Sequence, residues 1–138
     1  MGELESAVRA VLDIANTHDL DRFFREVADD VTFVNPVTGT SDKAGMRGFH
    51  DAFFSAFPDI HYQVNRVITS GDSAMVECNV TGTNTGDFMG MPATHRAMNV
   101  RAAFVVDMKD GKVKEWHTYF DQVQLQKQLG LIEEQVPA

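Results

Sequence analysis

The sequence predicts an α+β domain in which a mixed or antiparallel sheet curls over helices. Two observations carry this. Segments with helical apolar spacing crowd the first half of the chain and segments rich in β-branched residues fill the second, so like elements come in runs instead of alternating strictly. Two turn signals, Gly71-Asp72 and Asp110-Gly111, each sit between long strand patterns, which makes both pairs antiparallel hairpins. At 138 residues a single domain over positions 1–138 is expected, and no internal repeat, low-complexity tract or linker divides it.

The elements follow in order. Leu4, Ala7, Val8, Val11, Leu12 and Ala15 recur at helical spacing and predict a first helix with one buried stripe. Asn16 to Asp19 interrupts it. Asp19 is placed to cap a short second helix with Leu20, Phe23, Phe24 and Val27 on its apolar face. Val31 to Pro36 reads as a strand ended by proline, with Asn35 at its exit. Ser41 is a candidate cap for a third helix carrying Met46, Phe49, Phe53, Ala56 and Phe57 on one side. Ile60 to Thr69 and Ala74 to Thr83 form the first hairpin, and a two-residue loop places Arg66 opposite Glu77. Gly82 to Pro92 is a loop with an apolar tip of Phe88, Met89 and Met91, which either folds over a pocket or completes the core. His95 to Met108 is a long strand joined through Asp110-Gly111 to a last strand over Lys114 to Gln122. A short closing helix ends near Gly130.

Composition narrows the partners. A formal charge of -8 repels nucleic acid backbones and anionic lipid heads, so neither nucleic acid nor membrane is expected as a partner. The N-terminal residues lack the pattern of a secretory leader and no run reaches the roughly 20 apolar residues of a span, which leads to a cytoplasmic expectation. Cys78 stands alone and reads as a small buried residue. His18, His50 and His61 read as surface or helix residues without ligand spacing, so no metal and no cofactor is expected.

The last strand concentrates the chemistry. Alternation places Glu115, His117, Tyr119 and Asp121 on one side and Trp116, Thr118 and Phe120 on the other. A two-residue loop at Asp110-Gly111 pairs Lys109 with Lys112 and Asp107 with Lys114. It therefore sets Phe104 across from His117, Ala102 from Tyr119 and Val100 from Asp121. In this register Asp121, His117 and Tyr119 are the candidate catalytic residues, looking onto an apolar wall. Asn35, Phe53, Met89, Met98, Val100 and Phe104 are the candidate substrate-binding residues. Asp121 is equally placed to cap the closing helix, so both roles stand.

Phe57-Pro58-Asp59-Ile60, the Thr81 to Gly86 and Phe88 to Pro92 segments, Asp110 to Val113, and Glu115 to Asp121 followed by Gln128-Leu129-Gly130 resemble the SnoaL-like polyketide cyclases. The resemblance runs over roughly residues 31–131. It implies the nuclear transport factor two-like fold, a cone-shaped curved sheet wrapped around helices with a deep pocket. It also implies that Asp121 falls on the family's catalytic aspartate, a general acid and base. Asn84, His95 and the pair Trp116-His117 depart from the commoner family pattern.

The expected activity is cofactor-independent. Asp121 would abstract an acidic C–H proton from a polyketide-like or other apolar carbonyl substrate and promote intramolecular aldol-type closure, with His117 or Tyr119 donating a hydrogen bond to the enolate. The alternatives are an epoxide hydrolase of the same fold, although the register puts Arg101 on the wrong face for it, and a non-catalytic small-molecule-binding protein. Trp116 and Phe120 beside Val105 and Ala103 would form an outer apolar patch, and a homodimer through that sheet face is expected to cover it.

Overall fold

The computed structural model describes residues 2–132, so the outermost ends of the domain expected over 1–138 lie outside the described residues. The first helix, α1 (Glu3–Asn16), buries Val8, Val11, Leu12 and Ala15, the stripe its spacing predicts. Asp19 caps α2 (Leu20–Arg25) by accepting the Arg22 N–H at 3.1 Å. Val27 does not finish that helix as expected. It opens β1 (Val27–Asn35) and pairs with Val113, as suits a β-branched residue in a sheet.

A short strand that the sequence pattern does not reveal, β2 (Gly39–Ser41), folds back on β1 and pairs Ser41 with Phe33. Ser41 is thereby committed to the sheet, and the cap of α3 (Lys43–Ala56) is its neighbour Asp42, which accepts the Gly45 N–H at 2.9 Å. The remaining elements are β3 (His61–Ser70), β4 (Ser73–Thr83), β5 (Ala97–Lys109), β6 (Lys112–Phe120) and α4 (Gln122–Gln128).

The six strands form one mixed, curved sheet in the order β2-β1-β6-β5-β4-β3, with β1 and β6 parallel and the other neighbours antiparallel. Helices α1 and α3 pack against it, α1 over β3 and β4 and α3 over β1. The buried inner face carries Val76, Cys78 and Val80 from β4 and Val100, Ala102, Phe104 and Val106 from β5.

Turn geometry decides the two hairpins differently. In β3–β4 the pairs run from Ser70 with Ser73 to Arg66 with Glu77, as the loop length predicts. In β5–β6 Lys109 pairs with Lys112 and Met108 with Val113, but Asp107 then pairs with Glu115. Lys114 is an extra residue, a bulge, and every partner beyond it moves by one. Phe104 therefore faces Thr118 instead of His117, and Ala102 faces Phe120 instead of Tyr119.

The connection between β4 and β5 is tied down at Asn84, which is 1% exposed. Its Oδ1 accepts the Thr94 N–H at 2.9 Å and its Nδ2 donates to the Gly86 carbonyl at 2.7 Å. Gly86 lies against the end of α3, where an added Cβ would stand 2.2 Å from the Ser55 carbonyl oxygen. No side chain fits there. Farther along, Met89 and Gly90 both adopt positive φ in a tight turn closed by paired hydrogen bonds between Phe88 and Met91. Phe88 points inward against Phe53 and Phe57, so of the two open readings the tip completes the core.

Candidate functional site

Between the inner sheet face and the helices lies a narrow cavity, partly open to solvent, with about 50 Å³ of room for water-sized groups. Its wall is contributed by α1, α2, α3, α4 and the inner faces of β3 to β6. Nearly every group on it is apolar.

Of the residues expected to bind substrate, Phe53, Met98, Val100 and Phe104 line this cavity. Met89 does not. It sits at the crest of its turn, 46% exposed, because Phe88 is the residue that turns inward. Asn35 is buried but does not line the cavity, since it builds the turn after β1, where its Oδ1 accepts the Val37 and Thr38 N–H groups at 2.9 and 2.8 Å.

The expected facing of the last strand is reversed. Trp116, Thr118 and Phe120 line the cavity, whereas Tyr119 is 53% exposed on the outer face and His117 lies there too, 3.3 Å from the Glu115 carboxylate. The Lys114 bulge is the cause: without it the register argued from the turn would hold. Asp121 is exposed at the end of β6 and caps α4, its Oδ1 accepting the Gln124 N–H at 3.0 Å. Of the three candidate catalytic residues, none lines the cavity.

The polar atoms on the wall come from elsewhere. His50, read from sequence as a surface or helix residue, is 5% exposed and packs among Phe23, Phe24, Phe33 and Phe49, with ring centroids 5.1–5.6 Å apart within that cluster. Its Nδ1 donates to the Met46 carbonyl at 2.8 Å, since a carbonyl can only accept. Burial lowers its pKa to about 4, so the ring is neutral at pH 7 and Nε2 carries a lone pair. No protein group bonds to that nitrogen among the described residues. Tyr62 is half-buried on β3, where Asn16 clamps its backbone at 2.8 and 3.0 Å, and burial pushes its phenol pKa well up. Thr118 accepts from Trp116 Nε1 at 3.0 Å, which settles the indole N–H. Cys78, buried as expected, has its thiol pKa pushed up to about 12 by burial and is a poor nucleophile.

The signal for His50 was available in the helix period. Met46, His50, Phe53 and Phe57 share one stripe at four-, three- and four-residue steps, so a residue between the apolar positions had to face inward with them. Tyr62 is marked the same way by alternation with Ile60 and Val64.

An α+β cone with one apolar cavity enclosed by a curved sheet defines a class of small-molecule-binding domains whose reactions differ. The model for the SnoaL-like polyketide cyclases matches residues 5–129, and the chain belongs to that family. Family and fold together support an activity of cyclase or isomerase type. Solved structures agree in fold. AclR from Streptomyces galilaeus, described as a candidate hydroxylase, is 23% identical with a TM-score of 0.87, over 98% of this chain and 85% of that one. IdmH from Streptomyces antibioticus, described as a candidate polyketide cyclase, is 25% identical with a TM-score of 0.81, over 94% and 99%. A SnoaL-like protein from Jannaschia sp. CCS1 is 19% identical with a TM-score of 0.84, over 94% and 93%. Among curated proteins none matches significantly. No helix among the described residues is long and apolar enough to cross a membrane.

Proposed function

We propose that the chain is a cofactor-independent cyclase or isomerase acting on a flat, apolar carbonyl compound, with Asp121 as the group that takes and returns the proton during an intramolecular aldol-type closure. The observation that carries the reading is the cavity, apolar throughout apart from His50, Tyr62, Thr118 and the indole nitrogen of Trp116. Such a wall holds a carbonyl compound by shape and excludes the water that would compete for an enolate. Asp121 follows cavity-lining Phe120 directly and precedes cavity-lining Leu125 by one helical turn. The capping bond engages its Oδ1 and leaves Oδ2 for the substrate. Because an aspartate is a weak base, the substrate's C–H must itself be acidic, as it is between two carbonyls.

The test uses 1,3-dicarbonyl aromatics that cannot cyclise, with hydrogen–deuterium exchange at the acidic carbon followed by NMR. Acceleration by the wild type and its loss in Asp121→Asn, with the fold retained, is the expected result. Equal acceleration in the variant removes Asp121 from the mechanism. Epoxide hydrolysis would need an arginine and a second carboxylate beside Asp121, and no arginine lines the cavity among the described residues.

A homodimer through the outer sheet face is part of the same proposal, with Val105 kept from the expected patch and Trp116 and Phe120 turned inward. Ile68, Met75 and Tyr119 are each at least half exposed there, and the strand pairing sets Ile68, Met75, Val105 and His117 in one row. Light scattering at micromolar concentration should give twice the 15.3 kDa chain mass, falling to one chain in Met75→Lys.

A further inference from the structure

Six rings from five elements close a circle of contacts around the cavity. Going round, His50 meets Phe23 at 5.3 Å, Phe23 meets Trp116 at 6.0 Å, and Trp116 meets Phe104 at 5.0 Å. Phe104 meets Tyr62 at 5.9 Å, Tyr62 meets Phe54 at 6.3 Å, and Phe54 returns to His50 at 6.2 Å. All but Phe54 line the cavity. The collar is apolar in its faces and edges, yet two polar atoms in it have no protein partner among the described residues: His50 Nε2 and the Tyr62 hydroxyl. The third, Trp116 Nε1, is satisfied by Thr118.

His50 is more than nine-tenths buried, yet its Nε2 keeps accessible surface, so a ligand that covers this nitrogen must offer it a donor or leave it unpaired at a cost. Its tautomer is set by the Met46 carbonyl, so the ring cannot rotate its N–H toward the cavity without giving up that bond. The free position accepts and does not donate. Tyr62 differs, because a hydroxyl both donates and accepts.

We infer that His50 is the specificity-determining residue of the cavity: its Nε2 accepts a hydrogen bond from a phenolic or enolic O–H on the ligand, and the aromatic collar grips the flat ring that carries this hydroxyl. The inference rests on the cavity being the ligand site, as in the function proposed above, and names the ligand group that site selects. His50 is here a binding residue, and proton abstraction is left to Asp121. Discrimination arises because a ligand lacking the hydroxyl covers the nitrogen and leaves it unpaired, a larger loss than the hydrogen bond alone is worth.

Calorimetric titration with 2-naphthol, 2-methoxynaphthalene and naphthalene tests it without any turnover. In the wild type, 2-naphthol should bind roughly tenfold more tightly than either analogue, the difference made by one buried hydrogen bond. In His50→Phe, which keeps a ring of similar shape, the preference should collapse, and His50→Gln, which restores a carbonyl acceptor, should recover part of it. Equal affinities in the wild type, failure of all three probes to bind, or an undiminished preference in His50→Phe would overturn the inference. A readout on the wild-type protein guards against a misfolded variant: the ¹⁵N resonance of His50 Nε2 should move on adding 2-naphthol and stay in place with 2-methoxynaphthalene, and identical responses would also overturn it. Loss of deuterium exchange chemistry with the naphthol preference intact would remove the catalytic reading alone. Intact, Asp121-dependent exchange with no preference would remove this inference alone.

Discussion

Two hairpins of one sheet, each with a two-residue turn, give opposite lessons. In β3–β4 the first bulge, at Asn65, comes only after five regular pairs, on a strand at the sheet edge. In β5–β6 the bulge at Lys114 follows the second pair, in the middle of the sheet. The first leaves the register near the turn as loop length dictates. The second inverts everything beyond it, because a period of two turns a one-residue slip into a complete exchange of faces. Lys114 pays a local role as well, donating from Nζ to the Asp30 carbonyl at 2.8 Å and approaching the Asp30 carboxylate at 3.2 Å, which lowers the Asp30 pKa.

The largest expected effect comes from shifting β6 in its register. Because Lys114 is the surplus residue, its deletion leaves Met108 with Val113 and Val106 with Trp116 and keeps the facing. One alanine inserted between Trp116 and His117 would instead turn Thr118 and Phe120 outward and bring His117 and Tyr119 into the apolar interior. The loss should exceed about 5 kcal/mol and abolish a cooperative urea transition. The same insertion between Val67 and Ile68, on a strand that is largely exposed, should cost about 1–3 kcal/mol and leave the transition cooperative. Equal effects would mean that register matters no more in β6 than at the sheet edge.

Next come truncations on either side of β6. Trp116→Ala should cost about 3–5 kcal/mol by opening a cavity in the core, whereas Tyr119→Ala should stay within about 0.5 kcal/mol in dilute solution. A comparable cost for both in urea unfolding would contradict the observed facing.

A pH series sharpens the same contrast through His50, which is walled in by phenylalanine rings with Asp51 and Arg47 as its nearest charges. Its pKa is about 4 when folded and about 6.5 in the unfolded chain, so between those values the unfolded state binds more protons. Stability is therefore complete above pH 6.5 and falls as pH drops toward 4, by about 3 kcal/mol from this group. Urea midpoints at pH 7 and 5 should converge in His50→Phe relative to the wild type.

The smallest effect is expected at the correctly read pair, Arg66 and Glu77. Their 3.8 Å contact is solvent-exposed, and a double-mutant cycle should return a coupling of less than about 0.5 kcal/mol.

The same comparison explains what was legible in the sequence. Period is a property of the residues themselves, so the strands of both hairpins, the stripe of α1 and the Asp19 cap follow from the spacing of Val, Leu and Phe and from one side-chain oxygen. Phase depends on a backbone irregularity with no side-chain signature, and Lys114 looks like any exposed strand lysine. Candidate binding residues on α3 and β5, Phe53, Met98, Val100 and Phe104, were therefore found, while those on β6 were assigned to the wrong face. His50 was missed for a different reason: as a titratable residue it was set apart from the apolar stripe that it interrupts, although burial makes it behave as an aromatic member of that stripe. Asp121 was equally legible as a cap and as a proton-transfer group, and the capping bond is the one the structure displays.

Acrylamide quenching of intrinsic fluorescence tests the central claim most directly, because Trp116 is the chain's single tryptophan and reports on β6 facing without mutation. With the ring 2% exposed in the cavity wall, emission should be blue-shifted and quenching weak, unchanged on dilution through any dimer dissociation. Emission like that of tryptophan in water, with strong quenching in dilute solution, would place Trp116 on the outer face and contradict both the register and the cavity built on it.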